Sequence, residues 1–104
     1  MANHFKNYIE YTKNASFELD DVIIHFATND GFDFFSYDTE TGKGVGFVTL
    51  KGPAYDAVEK FSQQYPEEKL IYEYYGEMSP WKYIYEVQGG DFISENKKDI
   101  SWMY

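Results

Sequence analysis

Residues 52–76, GPAYDAVEKFSQQYPEEKLIYEYYG, decide the fold. Gly52 and Pro53 stand where an N-cap and a first helical residue belong, and apolar side chains then recur at helical spacing until Pro66 ends the pattern. Residues 70–75 follow, rich in aromatic and β-branched side chains, and these favour a strand. The stretch therefore predicts a helix that leads directly into a strand.

The chain before this stretch predicts a second strand and helix pair. Residues 4–12 partly alternate between apolar and polar side chains, which is typical of a first strand. Residues 19, 22, 23 and 26 are apolar at i, i+3, i+4 and i+7, and acidic residues lie near the expected N-terminus. This spacing predicts a helix over about residues 17–28, although the β-branched run 22–26 also fits a strand.

Glycine-rich turns separate the remaining strands. The sequence Asn29-Asp30-Gly31 is typical of a turn, and the residues after it predict a strand over residues 32–37. Residues 38–44 are polar and glycine-rich, so they predict a hairpin loop before a strand at residues 45–50. After the opening stretch, residues 82–87 predict another strand, and Gly89-Gly90 turns the chain into residues 91–94.

This order of elements predicts an α+β fold in a single domain over residues 1–104. It is the ferredoxin-like split βαβ (βαββαβ) pattern: an antiparallel sheet with two helices on one face and an extra C-terminal hairpin. The other sheet face stays open. Because side chains alternate along a strand, Tyr72 and Tyr74 share one face while Ile71 and Tyr75 share the other, so at least one tyrosine row lies away from the helices.

Charge and composition narrow the function classes. The chain has 18 acidic residues and 9 basic residues, all of them lysine, so its net charge is -9. Phosphate backbones and anionic membranes repel such a chain, so we expect no direct nucleic-acid or membrane binding and a basic protein partner. Acidity that serves only solubility is the alternative. The chain has no cysteine, which excludes a disulfide framework and leaves the redox compartment open. It has no long apolar run and no secretory signal pattern, which predicts a soluble, cytoplasmic protein.

No motif points to catalysis, a metal or a cofactor. Asp20, Asp21 and His25 share a helical face, but solvated acids beside a half-buried histidine explain them better than a metal site does. The acids of residues 38–43 resemble half a calcium loop without its terminal glutamate. Residues 42–46 lack phosphate-loop spacing, and no serine lies in a nucleophile elbow. We therefore predict a non-enzymatic protein.

The segment 72–81 is the predicted partner-binding site, because it interleaves large aromatic side chains with acids. Tyrosine and tryptophan are enriched at the centres of protein interfaces. The predicted partner-binding residues are Tyr72, Glu73, Tyr74, Tyr75, Glu77 and Trp81. The alternative is that these rings cover the sheet's own core. The apolar C-terminal tail, residues 100–104, must also dock back or meet a partner, which keeps a homodimer through the tail or an edge strand open.

Four short motifs resemble those of one family. They are residues 1–7, MANHFKN, residues 47–54, FVTLKGPA, Phe61-Ser62 with Tyr65-Pro66, and residues 74–77, YYGE. Together they are similar to the YubB-like ferredoxin-like family of phage, plasmid and bacterial proteins. Lys51 stands where that family typically has a tryptophan, and Ala54 where it has a proline. The resemblance implies a ferredoxin-like fold and a mobile-element origin.

The first functional hypothesis is an acidic interaction protein of mobile-element type. It would bind and inhibit a basic, nucleic-acid-handling host defence protein, such as a nuclease or CRISPR effector, with carboxylates in place of phosphates as in anti-CRISPR or anti-restriction mimicry. Two alternatives stay open. One is a small-molecule-binding or weakly hydrolytic domain that uses a cleft beside residues 38–43. The other is a self-assembling structural module.

Overall fold

The computed structural model describes residues 4–103. In chain order the elements are β1 (His4–Thr12), α1 (Leu19–Thr28), β2 (Phe32–Asp38), β3 (Gly42–Leu50), α2 (Tyr55–Gln64), β4 (Leu70–Gly76), β5 (Trp81–Gln88), β6 (Asp91–Asp99) and a short 3-10 helix (Ser101–Met103). The α+β prediction is confirmed.

The six strands form one antiparallel sheet in the order β2-β3-β1-β4-β5-β6. Strands β1 and β3 are neighbours, and they pair without a register shift from His4↔Leu50 to Thr12↔Gly42. Both helices contribute buried side chains to one core with the same sheet face, and His25 of α1 lies 2.7 Å from the carbonyl oxygen of Ala57 in α2. The sheet is therefore covered on one face by two helices and extended at one edge by the β5–β6 hairpin.

Helix α1 forms where the apolar spacing predicts it, and the strand alternative for residues 22–26 is wrong. Val22 and Phe26 are fully buried on its inner face. Glu18 is the N-cap, and its N–H donates to the Asp21 carboxylate at 2.8 Å. The acids of the first turn also face the positive end of the helix dipole, which stabilises this end.

Helix α2 begins later than the Gly52-Pro53 pattern predicts. Ala54 is the N-cap and Tyr55 the first helical residue. The N–H of Ala54 donates to the hydroxyl of Tyr72 at 2.8 Å, and the hydroxyl of Tyr72 donates to the Asn7 side chain at 2.6 Å. A buried tertiary hydrogen bond, which no local pattern reveals, therefore holds the start of this helix.

The predicted hairpin loop over residues 38–44 is too long. Strand β2 continues to Asp38 and strand β3 already begins at Gly42, with Asp38 opposite Lys43 in the ladder. A Cβ at Gly42 would meet the backbone of Tyr11 and Thr12 in β1, and a Cβ at Gly44 would meet the ring of Tyr37 in β2, so these strand positions require glycine. The C-terminal strand is longer than predicted as well, since β6 runs over nine residues. Gly89 and Gly90 both have positive φ, which forms the tight two-residue turn before it.

The core between sheet and helices is strongly aromatic. Phe26, Phe47 and Phe61 are at most 2% exposed, and the centre of the Phe26 ring lies 4.8 Å from that of Phe47 and 5.7 Å from that of Phe61. Towards β5 the hydroxyl of Tyr55 lies 2.7 Å from that of Tyr85. Much of the 21% aromatic content of the chain thus packs the interior.

Candidate functional site

The face of the sheet opposite the helices, here the open face, carries its own row of aromatic side chains. On β1, Tyr8 and Glu10 point to this face, while the buried Asn7 and Ile9 point to the helices. Tyr8 stacks on Tyr75 of β4 with ring centroids 6.2 Å apart. Because adjacent strands keep the same alternation, this row continues across the sheet.

Two glycines of β3 make room for the rings of β2. A Cβ atom at Gly44 would lie 2.2 Å from Cζ of Tyr37, and one at Gly46 would lie 2.2 Å from Cζ of Phe35. Each ring is opposite its glycine in the β2–β3 ladder. Phe35 and Tyr37 therefore lie across the backbone of β3 and contact Tyr8 at centroid distances of 6.2 and 6.4 Å.

These side chains line a groove of about 530 Å³ on the open face, here the open-face groove. Its lining residues are Tyr8, Glu10, Phe35, Tyr37, Glu73, Tyr75, Lys82, Lys98, Ile100 and Trp102. The C-terminal segment closes one side: Ile100 is 3% exposed and its N–H donates to the Pro80 carbonyl at 2.7 Å, whereas Trp102 is 77% exposed. The groove thus spans the sheet and ends at an exposed ring.

Two carboxylates lie in the open-face groove in different electrostatic states. Glu73 pairs with Lys82 at 2.8 Å, and both side chains are mostly covered. Glu10 accepts a hydrogen bond from the Tyr37 hydroxyl at 3.1 Å and, among residues 4–103, forms no ion pair. Glu10 therefore places a negative charge among aromatic rings, in a groove that Lys82 and Lys98 also line.

The hydroxyls of Tyr8 and Tyr37 in the groove remain protonated at neutral pH. Burial, more than any other cause, raises the pKa of Tyr8 and that of Tyr37 far above the ordinary value for tyrosine; the hydroxyl of Tyr75 and the charge of Glu10 respectively add to the effect. At neutral pH these groups donate and accept hydrogen bonds but do not act as bases. The groove thus presents aromatic rings, hydroxyls and carboxylates to solvent.

The structure divides the predicted partner-binding residues between the two faces, and for two of them the predicted surface position is wrong. Tyr72 is 0% and Tyr74 9% exposed, both on the helix side of β4. The hydroxyl of Tyr72 bridges Asn7 and Ala54. These rings are core, because the helices cover the face on which residues 72 and 74 point.

The other four predicted residues lie at or near the surface. Glu73 and Tyr75 line the open-face groove. Glu77 follows β4 and pairs with His4 at 2.9 Å. Trp81 begins β5, and the Lys97 ammonium lies 4.2 Å from the centre of its ring. Of the four, only Glu73 and Tyr75 therefore lie together in the groove. Contact of these four residues with a partner stays a prediction. Of the C-terminal tail, Tyr104 lies outside the described residues.

The acidic excess lies away from the open face. The helices and the α1 N-cap carry five exposed carboxylates against one lysine, Lys60: Glu18, Asp20, Asp21, Asp56 and Glu59. The strand positions of the open face carry three carboxylates, Glu10, Glu73 and Glu86, and three lysines, Lys6, Lys82 and Lys98. The helix layer is thus the more acidic of the two surfaces.

The weak metal candidates are held by other contacts. Asp21 accepts the Glu18 N–H, and His25 donates to the Ala57 carbonyl at 2.7 Å. Asp38 pairs with Lys43 at 3.6 Å on the exposed hairpin. Within residues 4–103, no group of three or more histidine, aspartate or glutamate side chains is placed to hold a metal ion.

Sequence reasoning missed Tyr8, Glu10, Phe35 and Tyr37. A signal was present in β3, where Gly44 and Gly46 alternate with Val45 and Phe47. Glycine at every second strand position leaves one face of the strand without side chains, which allows neighbouring rings to lie over the backbone.

Comparison of the chain with protein-family models, with curated proteins and with solved structures gave no match. None of the helices formed by residues 4–103 has the length and apolar character needed to cross a membrane.

Proposed function

We propose that this chain is a non-enzymatic binding protein whose open-face groove contacts a basic partner protein. The observation that carries the proposal is the groove itself. It presents aromatic rings and a carboxylate that forms no ion pair among residues 4–103, on a sheet face that neither α1 nor α2 covers. Aromatic side chains contribute large contact areas at low entropic cost, and they dominate the binding energy of protein interfaces.

In this proposal, the net charge acts on the approach of the partner, and the groove acts once the two proteins are in contact. A net charge of -9, concentrated on the helices and loops, attracts a basic partner and accelerates encounter. Exposed charges are screened beyond about 10 Å at 0.1 M salt, so they contribute more to the rate of association than to the final contact. The bound state is stabilised by desolvation of the rings on the open face.

Glu10 indicates what the groove binds. A lysine or arginine side chain of the partner would pair with this carboxylate while its alkyl part and charge lie against Tyr8 and Phe35. Two lysines line the groove as well. Lys82 is paired with Glu73 and lies 5.8 Å from the centre of the Tyr8 ring, so it contributes little net charge against an incoming cation, and Lys98 is the second. The proposed contact is thus a basic side chain inserted among aromatic rings.

The partner class we propose is a nucleic-acid-handling host defence protein, a nuclease or CRISPR effector. Such proteins carry exposed lysine and arginine side chains for phosphates, and an acidic chain of this size competes for them. The proposed origin is a phage or plasmid. The YubB-like resemblance supports this origin.

We also propose that the fold is ferredoxin-like. The order β2-β3-β1-β4, with α1 between β1 and β2 and α2 between β3 and β4, supports the βαββαβ pattern, and β5 and β6 then form the appended hairpin. The small-molecule alternative has less support, because the cavity beside Thr39 and Thr41 holds only about 180 Å³, whereas ligand sites usually exceed about 300 Å³.

A short peptide tests the contact directly. The probe is acetyl-Gly-Arg-Gly-amide, and the comparison is the same peptide with citrulline, which is neutral and nearly isosteric with arginine. We expect NMR shifts at Tyr8, Glu10 and Tyr75 with the arginine peptide, reduced at least about fivefold with citrulline and in Glu10→Gln. Equal shifts with both peptides, or none with either, would refute the cationic contact.

The proposed partner class is tested with this chain and a candidate partner, each purified separately. A basic protein that co-purifies from the host is expressed separately, and its affinity is measured against the wild type and two variants. Trp102→Ala removes an exposed ring of the groove, and Met78→Ala removes an equally exposed side chain (85%) outside it. We expect binding that weakens with salt, falls at least about tenfold in Trp102→Ala and is unchanged in Met78→Ala. Affinity that is independent of salt, or equal losses in both variants, would contradict the proposal.

A further inference from the structure

Strand β6 is a regular and exposed edge of the sheet. Ser94 to Asp99 pair without interruption with Glu86 to Trp81 of β5, and every residue of this run is exposed. Within the described chain no strand pairs with its other side. An edge of this kind presents unpaired N–H and C=O groups that can pair with a further strand.

The opposite edge, β2, is unsuited to this pairing. Its register with β3 shifts between Phe32 and Phe35, and Asp33 between them has a φ of 56°. A bulge of this kind twists an edge away from further strands. Of the two edge strands, β6 is therefore the one that can pair with a further strand.

Over the regular run from Ser94 to Asp99, the charges of β6 are complementary to a second copy of themselves in the register centred on Asn96. Two identical antiparallel strands are related by a two-fold axis perpendicular to the sheet, and the axis passes through a residue that faces its own copy. If that residue is Asn96, Glu95 faces Lys97 of the other copy twice, and Ser94 faces Lys98. An axis at residue 95, 97 or 98 would instead place like charges opposite each other, which is destabilising.

We propose that two copies of this chain pair through β6, antiparallel and centred on Asn96, to form a continuous twelve-stranded sheet. Glu95 and Lys97 lie on the helix side of the sheet, where they are paired with Tyr85 and Tyr83 of β5. The ion pairs between the two copies would therefore lie beside these tyrosine rings. The axis is perpendicular to the sheet, and both open-face grooves therefore face the same side. This pairing needs no partner protein and stands apart from the proposed function.

Charge-reversal variants test the register. The measurement is the dissociation constant of the purified full chain, by sedimentation over a concentration series in buffer alone. Glu95→Lys and Lys97→Glu each turn both attractive pairs into repulsive ones, and we expect each to weaken self-association at least about tenfold. An equimolar mixture of the two variants should dimerise as a heterodimer, because every lysine at these positions then faces a glutamate.

Lys98→Glu is the matched control. It makes the same change in net charge as Lys97→Glu, one residue away, but faces Ser94 in the proposed register, so we expect less than about a threefold effect. Circular dichroism checks that all variants fold. A wild-type chain that stays monomeric at millimolar concentration overturns the proposal. A dimer that both charge reversals leave intact, or a mixture that does not associate, overturns it as well.

Discussion

The rings that lie over the β3 backbone can be displaced by a single methyl group. In Gly46→Ala the new Cβ would lie 2.2, 2.5 and 2.9 Å from ring atoms of Phe35. Ordinary carbon contacts are about 3.5–4.0 Å, so the ring has to retreat by roughly 1.5 Å. Because Phe35 is 52% exposed, its ring can swing into solvent, and the cost is the contact it leaves.

The magnitude follows from the covered part of that ring. About half of a phenylalanine side chain, roughly 100 Å², returns to water, which costs about 2.5 kcal/mol at about 25 cal/mol per Å². Alanine is more favourable than glycine within a strand by about 0.5–1 kcal/mol. We therefore expect Gly46→Ala to lower the free energy of unfolding by about 1–2 kcal/mol.

Gly44→Ala should cost more than Gly46→Ala. Its Cβ would lie 2.2 Å from Cζ of Tyr37, and displacement of that ring also breaks the hydrogen bond to Glu10. A hydrogen bond to a charged group contributes about 1.5–3 kcal/mol beyond the loss expected for Gly46→Ala, so the expected loss is about 2.5–5 kcal/mol. The assay is urea unfolding followed by circular dichroism, with the free energy extrapolated to water.

Gly52→Ala is the control, because nothing lies within 4 Å of a Cβ at that position. We expect no loss there. A double variant provides the second check: once Phe35→Ala has removed the ring, Gly46→Ala should no longer destabilise. Equal losses at positions 44, 46 and 52, or an unchanged cost of Gly46→Ala without the Phe35 ring, would refute the reasoning.

Three further predictions concern buried polar groups. Tyr72→Phe removes a hydroxyl with two buried hydrogen bonds and should cost about 1–3 kcal/mol in urea unfolding, whereas Tyr75→Phe, whose hydroxyl has only a 3.5 Å contact, should cost less than about 0.5 kcal/mol. Burial raises the pKa of Tyr74 to about 12. The unfolded chain therefore loses this proton first, near pH 10, so stability is full below about pH 10 and falls between about pH 10 and 12, as seen in urea midpoints and tyrosinate absorbance. Glu73→Gln leaves a mostly covered lysine unpaired and should cost about 1 kcal/mol, whereas Asp38→Asn breaks an exposed pair and should cost almost nothing.

Each of these three predictions has an outcome that contradicts it. Equal effects of Tyr72→Phe and Tyr75→Phe would mean that the buried network does not hold the start of α2. A urea midpoint that is constant from pH 9 to 12 would contradict the burial of Tyr74. Equal losses in Glu73→Gln and Asp38→Asn would show that cover from water does not strengthen the first pair.

Local patterns predicted most elements but not their exact ends. The spacing of Val22 and Phe26 predicts α1 because a helical face must be apolar where it packs. The start of α2 was misplaced because the hydroxyl of Tyr72, far along the chain, binds Ala54. The start of β3 was misplaced because Gly42 lies against the backbone of β1 and Gly44 against the Tyr37 ring of β2, contacts that only strand pairing creates.

The candidate site was predicted in part. Glu73 and Tyr75 are in the open-face groove, but Tyr72 and Tyr74 are not. Because side chains alternate along a strand, Glu73 and Tyr75 must lie on one face of β4 and Tyr72 and Tyr74 on the other. The alternation does not indicate which of the two faces the helices cover. Tyr8 and Glu10 join the groove only because β1 lies between β3 and β4 in the sheet.

The sequence by itself determined the acidic charge, the aromatic content, the α+β class and the alternation of side chains along each strand. These properties depend on composition and on neighbours within a few residues. The tertiary structure alone decided that two of the tyrosines in β4 are core and that Lys82 of β5 neutralises Glu73. It also decided that Glu10 remains without an ion pair among the described residues. The reason is physical: burial and ion pairing depend on which strands lie side by side, and the order of strands in a sheet is a long-range property of the chain.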